Sequence, residues 1–272
     1  MRASLDWELG EEMTTLKQGI TVIVNLHREG HLAWRSLLSA EQSLNKFLAT
    51  HEKRKGEILI VLDSTDRTTY ELAMRFVNNR PDSRPALFVN VIQTSHSDLG
   101  QARNTGVSLA RFDHVAFLDA DDIFGSEWLS RGWEYLQKQT APTIAHCQVN
   151  LNFERDMLFW QHTDSRDPDF DPSVFCVTNH WTALSMAPTS VYLEHPYARA
   201  SAELALGFED WEWNTRTLAA GFIHAVVPET VHFIRKRPGS MSDTHASQTR
   251  TTSINDFWRA PWINKAPPTP SP

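Results

Sequence analysis

Four short apolar runs, "ITVIVNL" (20–26), "EILIVLD" (57–63), "ALFVNVIQT" (86–94) and "HVAFLD" (114–119), recur along the first half of the chain. Between them lie stretches with apolar residues at helical spacing: "HLAWRSLLSAEQSLNKFLA" (31–49), "RTTYELAMRFVNN" (67–79) and "GQARNTGVSLARF" (100–112). A continuous β-branched run without polar alternation suits a strand covered on both faces. Strand alternating with helix restricts the fold to the α/β class, with a mostly parallel sheet, flanking helices and right-handed crossovers.

Beyond residue 140 the pattern loosens. "TIAHCQVNLNF" and "DMLFWQ" read as strands, and "TDSRDPDFDPSVF" (163–175) as an Asp- and Pro-rich loop. "FEDWEWNTRTLAAGF" (208–222) reads as a helix closed by Gly221, and "HAVVPETVHFIRK" as short strands. The expected organisation is an extension (1–19), one domain (20–245) split at 125/126 into a regular and an irregular half, and a terminal arm with a Pro-rich linker (246–272). That linker suggests a further domain after it.

Composition removes several function classes. The net charge of −7 argues against non-specific nucleic-acid binding. No apolar run approaches the roughly 20 residues that cross a bilayer, and the N-terminus lacks a signal peptide's apolar stretch. Cys147 and Cys176 have no metal-ligand spacing and read as free thiols of a reducing, cytoplasmic compartment. Peripheral contact with the inner face of a membrane stays open through "NDFWRAPWINK" (255–265), which has two tryptophans and basic ends; an arm packed on the domain is the alternative.

The fourth run ends on "DADD": Asp119, Asp121 and Asp122 are three carboxylates in four positions. Neighbouring like charges disfavour one another's ionisation. Carboxylates at a strand end can share a hard divalent cation, Mg²⁺ or Mn²⁺, whose shell is completed by substrate phosphates. Open α/β sheets bind ligands outside the carboxyl ends of their strands, where Asp63 also falls. A plain helix cap would explain an aspartate equally well.

In order along the chain stand "ITVIVNLHREG", "EILIVLDSTDRT", "SHSDLGQARNTGVSLA", "VAFLDADD", "GFEDWEWN" and "HFIRKRPGSMS". This set resembles the inverting glycosyltransferases of family 2, which share the Rossmann-like GT-A fold. The resemblance spans roughly residues 20 to 242. It departs at "NLHREG" and at Leu62, where many members have an aspartate. It makes 20–125 the nucleotide-binding half and 126–245 the acceptor half.

The resemblance implies the roles that follow. Asp63 accepts a hydrogen bond from the base of a nucleotide-sugar, unless it caps the next helix. Gly100 lets backbone approach the nucleotide, and Arg103 lies near the pyrophosphate or in an ion pair with Asp119. Asp121 is the metal ligand, with Asp119 on ribose or metal and Asp122 as helper. Asp210, then Glu209, is the general base for an acceptor hydroxyl; an acidic first helical turn is the alternative. Glu212 positions the acceptor, and Trp181, Trp211 and Trp213 stack on a sugar or pack in the core. His232 adds a late metal ligand or is structural, and Arg235, Lys236 and Arg237 cover the diphosphate.

The implied activity is metal-dependent inverting transfer from a nucleoside diphosphate sugar, UDP-linked, to a hydroxyl of a glycan or lipid-linked acceptor, as in polysaccharide biosynthesis. Two rivals are a sugar-nucleotidyltransferase and a non-catalytic glycan-binding module of the same fold. A nucleotidyltransferase would carry a glycine-rich basic loop after the first strand, which "NLHREGHLAW" does not resemble.

Overall fold

The computed structural model describes residues 16–79, 85–155, 157–201, 207–237, 252 and 254–259. In chain order the elements are β1 (Lys17–Leu26), α1 (Ala33–Thr50), β2 (Lys55–Asp63), α2 (Arg67–Asn78), β3 (Leu87–Thr94), α3 (Leu99–Ser108), β4 (Phe112–Asp119) and β5 (Ile123–Phe124). There follow α4 (Trp128–Gln137), β6 (Thr143–Glu154), β7 (Phe159–Gln161), β8 (Ser185–Pro188), α5 (Thr189–Glu194), α6 (Glu209–Ala219) and β9 (Ile223–Lys236). The strands form one sheet in the order β3-β2-β1-β4-β8-β6-β9-β5, with β7 beside β6. The long pairings are parallel: β1 with β2 and β4, β2 with β3, and β6 with β9. Short antiparallel β8 joins β4 to β6 and makes the two halves one sheet.

Period-2 alternation divides the core between the faces. Ile20, Val22, Val24, Ile58, Ile60 and Leu62 face α1, α2 and α4. Ile23, Leu59, Val61, Val115 and Phe117 face α3, α5 and α6, where Val107, Tyr192 and Trp213 meet them. Burying each large apolar side chain contributes about 1.5–3 kcal/mol.

Three local readings change. α3 ends at Ser108, and Phe112 already belongs to β4. "HAVVPETVHFIRK" is one long strand rather than several, despite Pro228. The chain absorbs the interruption as a bulge in β9: Val227 pairs with Cys147 and Val231 with Val149, so 228–230 stand opposite Gln148, with Glu229 at φ 57°. The Gln148 N–H donates to Thr230 Oγ1 (2.9 Å), and the Gln148 side chain accepts from the Glu229 N–H (2.8 Å), so the bulge keeps its hydrogen bonds. The Asp- and Pro-rich segment is irregular as expected, save a 3₁₀ turn at Pro172–Cys176. Gly221 ends α6 at φ 91°, as its position suggested.

Candidate active site

The carboxyl ends of β1, β2 and β4 open into a cleft of about 530 Å³. Asn25, Glu29, Asp63, Asp119 and Asp121 line it together with Thr182, Phe208, Glu209, Asp210 and Arg235–Arg237.

Neither Asp63 nor the Asp119–Asp122 cluster caps a helix. α2 is capped by Asp66, whose Oδ1 accepts the Thr69 N–H at 2.8 Å. α4 begins after Glu127 with no side-chain cap at all. Asp63 instead secures the loop leading to α3. Its Oδ1 accepts from Thr94 Oγ1 (2.9 Å) and the His96 N–H (2.6 Å), and its Oδ2 from the Asp98 N–H (3.2 Å). Asp98 then caps α3 through the Gln101 N–H at 2.9 Å.

Arg103 is 1% exposed and spans the cleft floor. Nη2 donates to Asp119 Oδ1 (2.8 Å) and Nη1 to Glu209 Oε1 (2.7 Å), joining residues 106 positions apart. Burial alone would lower the guanidinium's pKa. Asp119 and then Glu209 outweigh it and hold the pKa above the ordinary value. Arg103 also lies 5.3 Å from the Tyr197 ring centre and 5.7 Å from that of Phe117.

Asp122 turns inward. Its Oδ1 accepts the Arg235 N–H at 2.7 Å, and burial, then Asp121 and Asp119, push its carboxyl well above the usual range. Asp121 faces the cleft and is held from β9: Arg235 Nε donates to its carbonyl and Arg237 Nε to its Oδ2, both at 2.9 Å. Glu29 is also pushed up, chiefly by burial, with Asp121 adding to it against the His27 N–H. Asn25 and Glu29 went unremarked in the sequence, although the strand-end rule that marked Asp63 reaches them at the end of β1.

α6 starts abruptly. Phe208 adopts φ 55°, ψ 55°, a left-handed conformation uncommon for a non-glycine. Glu209 and Asp210 follow in the first turn. Burial, then Glu209, raises the Asp210 pKa to about 7, with Arg103 working against them. Asn179 Nδ2 donates to Asp210 Oδ2 at 3.3 Å. Beside this point Phe208 also borders a cavity of about 380 Å³ walled by Phe175, Trp211 and Trp258.

Several expected site residues lie elsewhere. His232 is fully buried on β9, its ring stacked 5.0 Å from Phe124 and edge-on to Trp128 at 4.8 Å. Alternation turns it into the core, whereas Arg235 and Arg237 reach the cleft, so the metal-ligand expectation for His232 is corrected. Gly100 does not line the cleft; a Cβ there would stand 2.7 Å from the Ala198 carbonyl oxygen, so the backbone it admits is the chain's own. Glu212 pairs with Arg216 (2.8 Å) outside the cleft. Trp181 and Trp213 are core residues, 0% and 1% exposed. The "GSMS" part of the terminal motif, most of 255–265 beyond Arg259, and the Pro-rich linker lie outside the described residues.

Among the described residues no three His, Cys, Asp or Glu side chains converge as a metal cage. Asp119 and Asp121 offer two hard oxygen ligands on one cleft, a donor set suited to a cation that completes its shell with phosphate and water. Among the described residues no helix is long and apolar enough to cross a membrane.

The family model described as "Glycosyl transferase family 2" matches residues 21–188. No curated protein matches the sequence. Among solved structures, Staphylococcus aureus TarS residues 1–349 in complex with UDP-GlcNAc is similar, with a TM-score of 0.58 and 16% identity over 89% of this chain and 64% of that one. The same TarS fragment with UDP gives 0.57 and 13% over 90% and 70%. TarS without that truncation gives 0.58 and 14%, and the present chain spans 41% of it. These similarities establish a GT-A type of fold.

Proposed function

The chain belongs to glycosyl transferase family 2, and on that premise we propose that it is a metal-dependent inverting glycosyltransferase acting on a nucleoside diphosphate sugar, UDP-linked in the first instance. The observation that supports this most is one cleft lined both by Asp119 and Asp121 and by Asp210, whose pKa is raised to about 7. The acceptor is a hydroxyl of a glycan or lipid-linked glycan, and the aromatic cavity beyond Phe208 suits a pyranose face.

In this reading Asp119 and Asp121 hold Mg²⁺ or Mn²⁺ together with the donor phosphates. When bound, the cation stabilises negative charge on the departing diphosphate. Asp63 keeps the β3–α3 loop folded, and its Oδ2, which accepts the Asp98 N–H at 3.2 Å, has a second lone pair to offer a base N–H. Arg103 fixes Glu209, which sets the start of α6. Asp210 takes the acceptor proton as the new O–C1 bond forms and the C1–O bond to phosphate breaks on the opposite face. A carboxylate with a pKa near neutrality is matched to this task. Arg235, Lys236 and Arg237 stand where they can follow the phosphate charge.

A thermal-shift panel of UDP, UDP-sugars and other nucleotides, with and without Mn²⁺, tests donor binding through mass action. Asp210→Asn should retain UDP affinity and lose about 10²–10⁴-fold in turnover. Near-normal turnover in that variant would exclude Asp210 as the base.

A further inference from the structure

Asp210 is not held by its helix alone. Asn214 lies one turn further along α6, on the same face, and is 1% exposed. Its Nδ2 donates to the Trp181 carbonyl (3.3 Å) and to Asn179 Oδ1 (3.1 Å). Trp181 is fixed in turn: its indole donates to the Thr163 carbonyl at 2.8 Å, and its ring stacks on His224 at 4.2 Å and His146 at 5.1 Å. Because the Asn214 amide nitrogen faces two carbonyl oxygens, the Asn179 oxygen must point toward Asn214. That leaves the Asn179 NH₂ directed at Asp210 Oδ2, 3.3 Å away. The network thus decides which end of Asn179 meets the carboxylate.

We propose that Asn179 is a positioning residue for Asp210, anchored by Asn214, which occupies one carboxylate oxygen and leaves the other to accept the acceptor's proton. The inference rests on the reading of Asp210 as the base. The other charged groups facing Asp210 are Glu209 on its own helix, Arg103 from α3 and Asp119 from β4, and none of them touches Asn179 in this network. A donor on the charged form favours ionisation, so removing it should both loosen the carboxylate and make it harder to ionise.

The test compares Asn179→Ala, Asn214→Ala and the double variant with wild type, by pH-dependent initial rates, calorimetric UDP affinity and thermal melts. Asn179→Ala is expected to lower kcat by about 10-fold, with UDP affinity and donor KM unchanged, and to move the acid limb of the rate profile to higher pH. Asn214→Ala, which does not contact Asp210, should move the limb the same way, and the double variant should be no worse than Asn179→Ala, since both act through one contact. If Asn179→Ala unfolds, Asn179→Ser, which keeps a shorter donor, is read for the same limb. A lowered melting point with an unmoved acid limb would mean a merely structural role and overturn the proposal. Asp210→Asn separates the two readings. If it is inactive while the Asn179 variants keep the wild-type limb, only the positioning role fails; if it is active, both fail.

Discussion

The two halves of the sheet bury polar groups of different kinds away from the cleft. In the first half the buried groups under the sheet include a carboxylate: Glu57, 1% exposed on β2, accepts from Thr21 Oγ1 and the Asn90 amide and pairs with Arg111 at 3.3 Å. In the second half the buried polar groups are imidazoles. His146 Nε2 faces His224 Nδ1 at 2.9 Å, His224 Nε2 faces Thr217 Oγ1 at 2.9 Å, and His162 meets the Cys147 carbonyl at 2.8 Å. A buried carboxylate needs a partner cation or several donors. A neutral imidazole needs none, but it resists protonation for the same reason. The second half is stable only while its histidines stay neutral.

The largest effect is expected where the halves meet. Arg103→Ala removes the one cation between Asp119 and Glu209, leaving two uncompensated carboxylates. Such losses cost about 3–5 kcal/mol; the lower end is expected because the Asp119 side chain keeps 29% exposure. Urea unfolding measures it, and a change under ~1 kcal/mol would show that the halves do not depend on this bridge.

Acid should act on the second half first. Burial lowers the pKa of His162 to about 4 and of His224 to about 3, and that of His146 well below its ordinary value. As pH falls below about 6.5 the unfolded chain binds protons that the folded chain refuses, so stability falls by up to about 1.4 kcal/mol per pH unit for each such histidine. The loss runs from about pH 6.5 toward the folded pKa values of about 4 and 3. Hydrogen exchange at pH 7 and 5 checks it: protection in β6 and β9 should drop more than in β1 and β2.

A smaller effect is expected from Gly100→Ala, which forces a Cβ to 2.7 Å from the Ala198 carbonyl oxygen and so strains the contact of α3 with 197–198. A cost of about 1–3 kcal/mol is expected in the thermal melt. The smallest is Arg237→Ala. Its partner Asp121 and the arginine itself are 21% and 33% exposed, so stability should change by less than about 1 kcal/mol. UDP affinity measured with and without Mn²⁺ should nevertheless change.

These contrasts also mark what the sequence revealed. The strands of the first half were readable because apolar runs end on acid at the sheet's carboxyl edge, so Asp63, Asp119 and Asp121 could be located at once. The ion pair of Arg103 with Asp119 was likewise open to expectation, since both lie in neighbouring segments. Its second partner, Glu209, was not, because no local pattern links residues 106 positions apart. In the second half, period-2 alternation along "HAVVPETVHFIRK" would have turned His232 inward, but the apparent break at Pro228 hid the phase of the strand. Asn179 carries no signal at all, as its contacts with Asp210 and Asn214 come from the fold of 177–184.

On the proposed role of Asp121 as a metal ligand, its contact with Arg237 would turn occupancy of the cleft into a competition between a tethered cation and a diffusing one. The guanidinium sits 2.9 Å from Asp121 Oδ2 and is delivered by the end of β9, so its effective concentration at the carboxylate is set by the chain, not by the solution. A divalent ion bound there would meet the carboxylate in the fraction of time the arginine is away, and its apparent affinity would be reduced by that fraction. Were the pair closed about nine-tenths of the time, binding would be weakened about tenfold. A donor that carries its own phosphates offers the displaced arginine a new anion, so ion and nucleotide should bind more tightly together than either does alone.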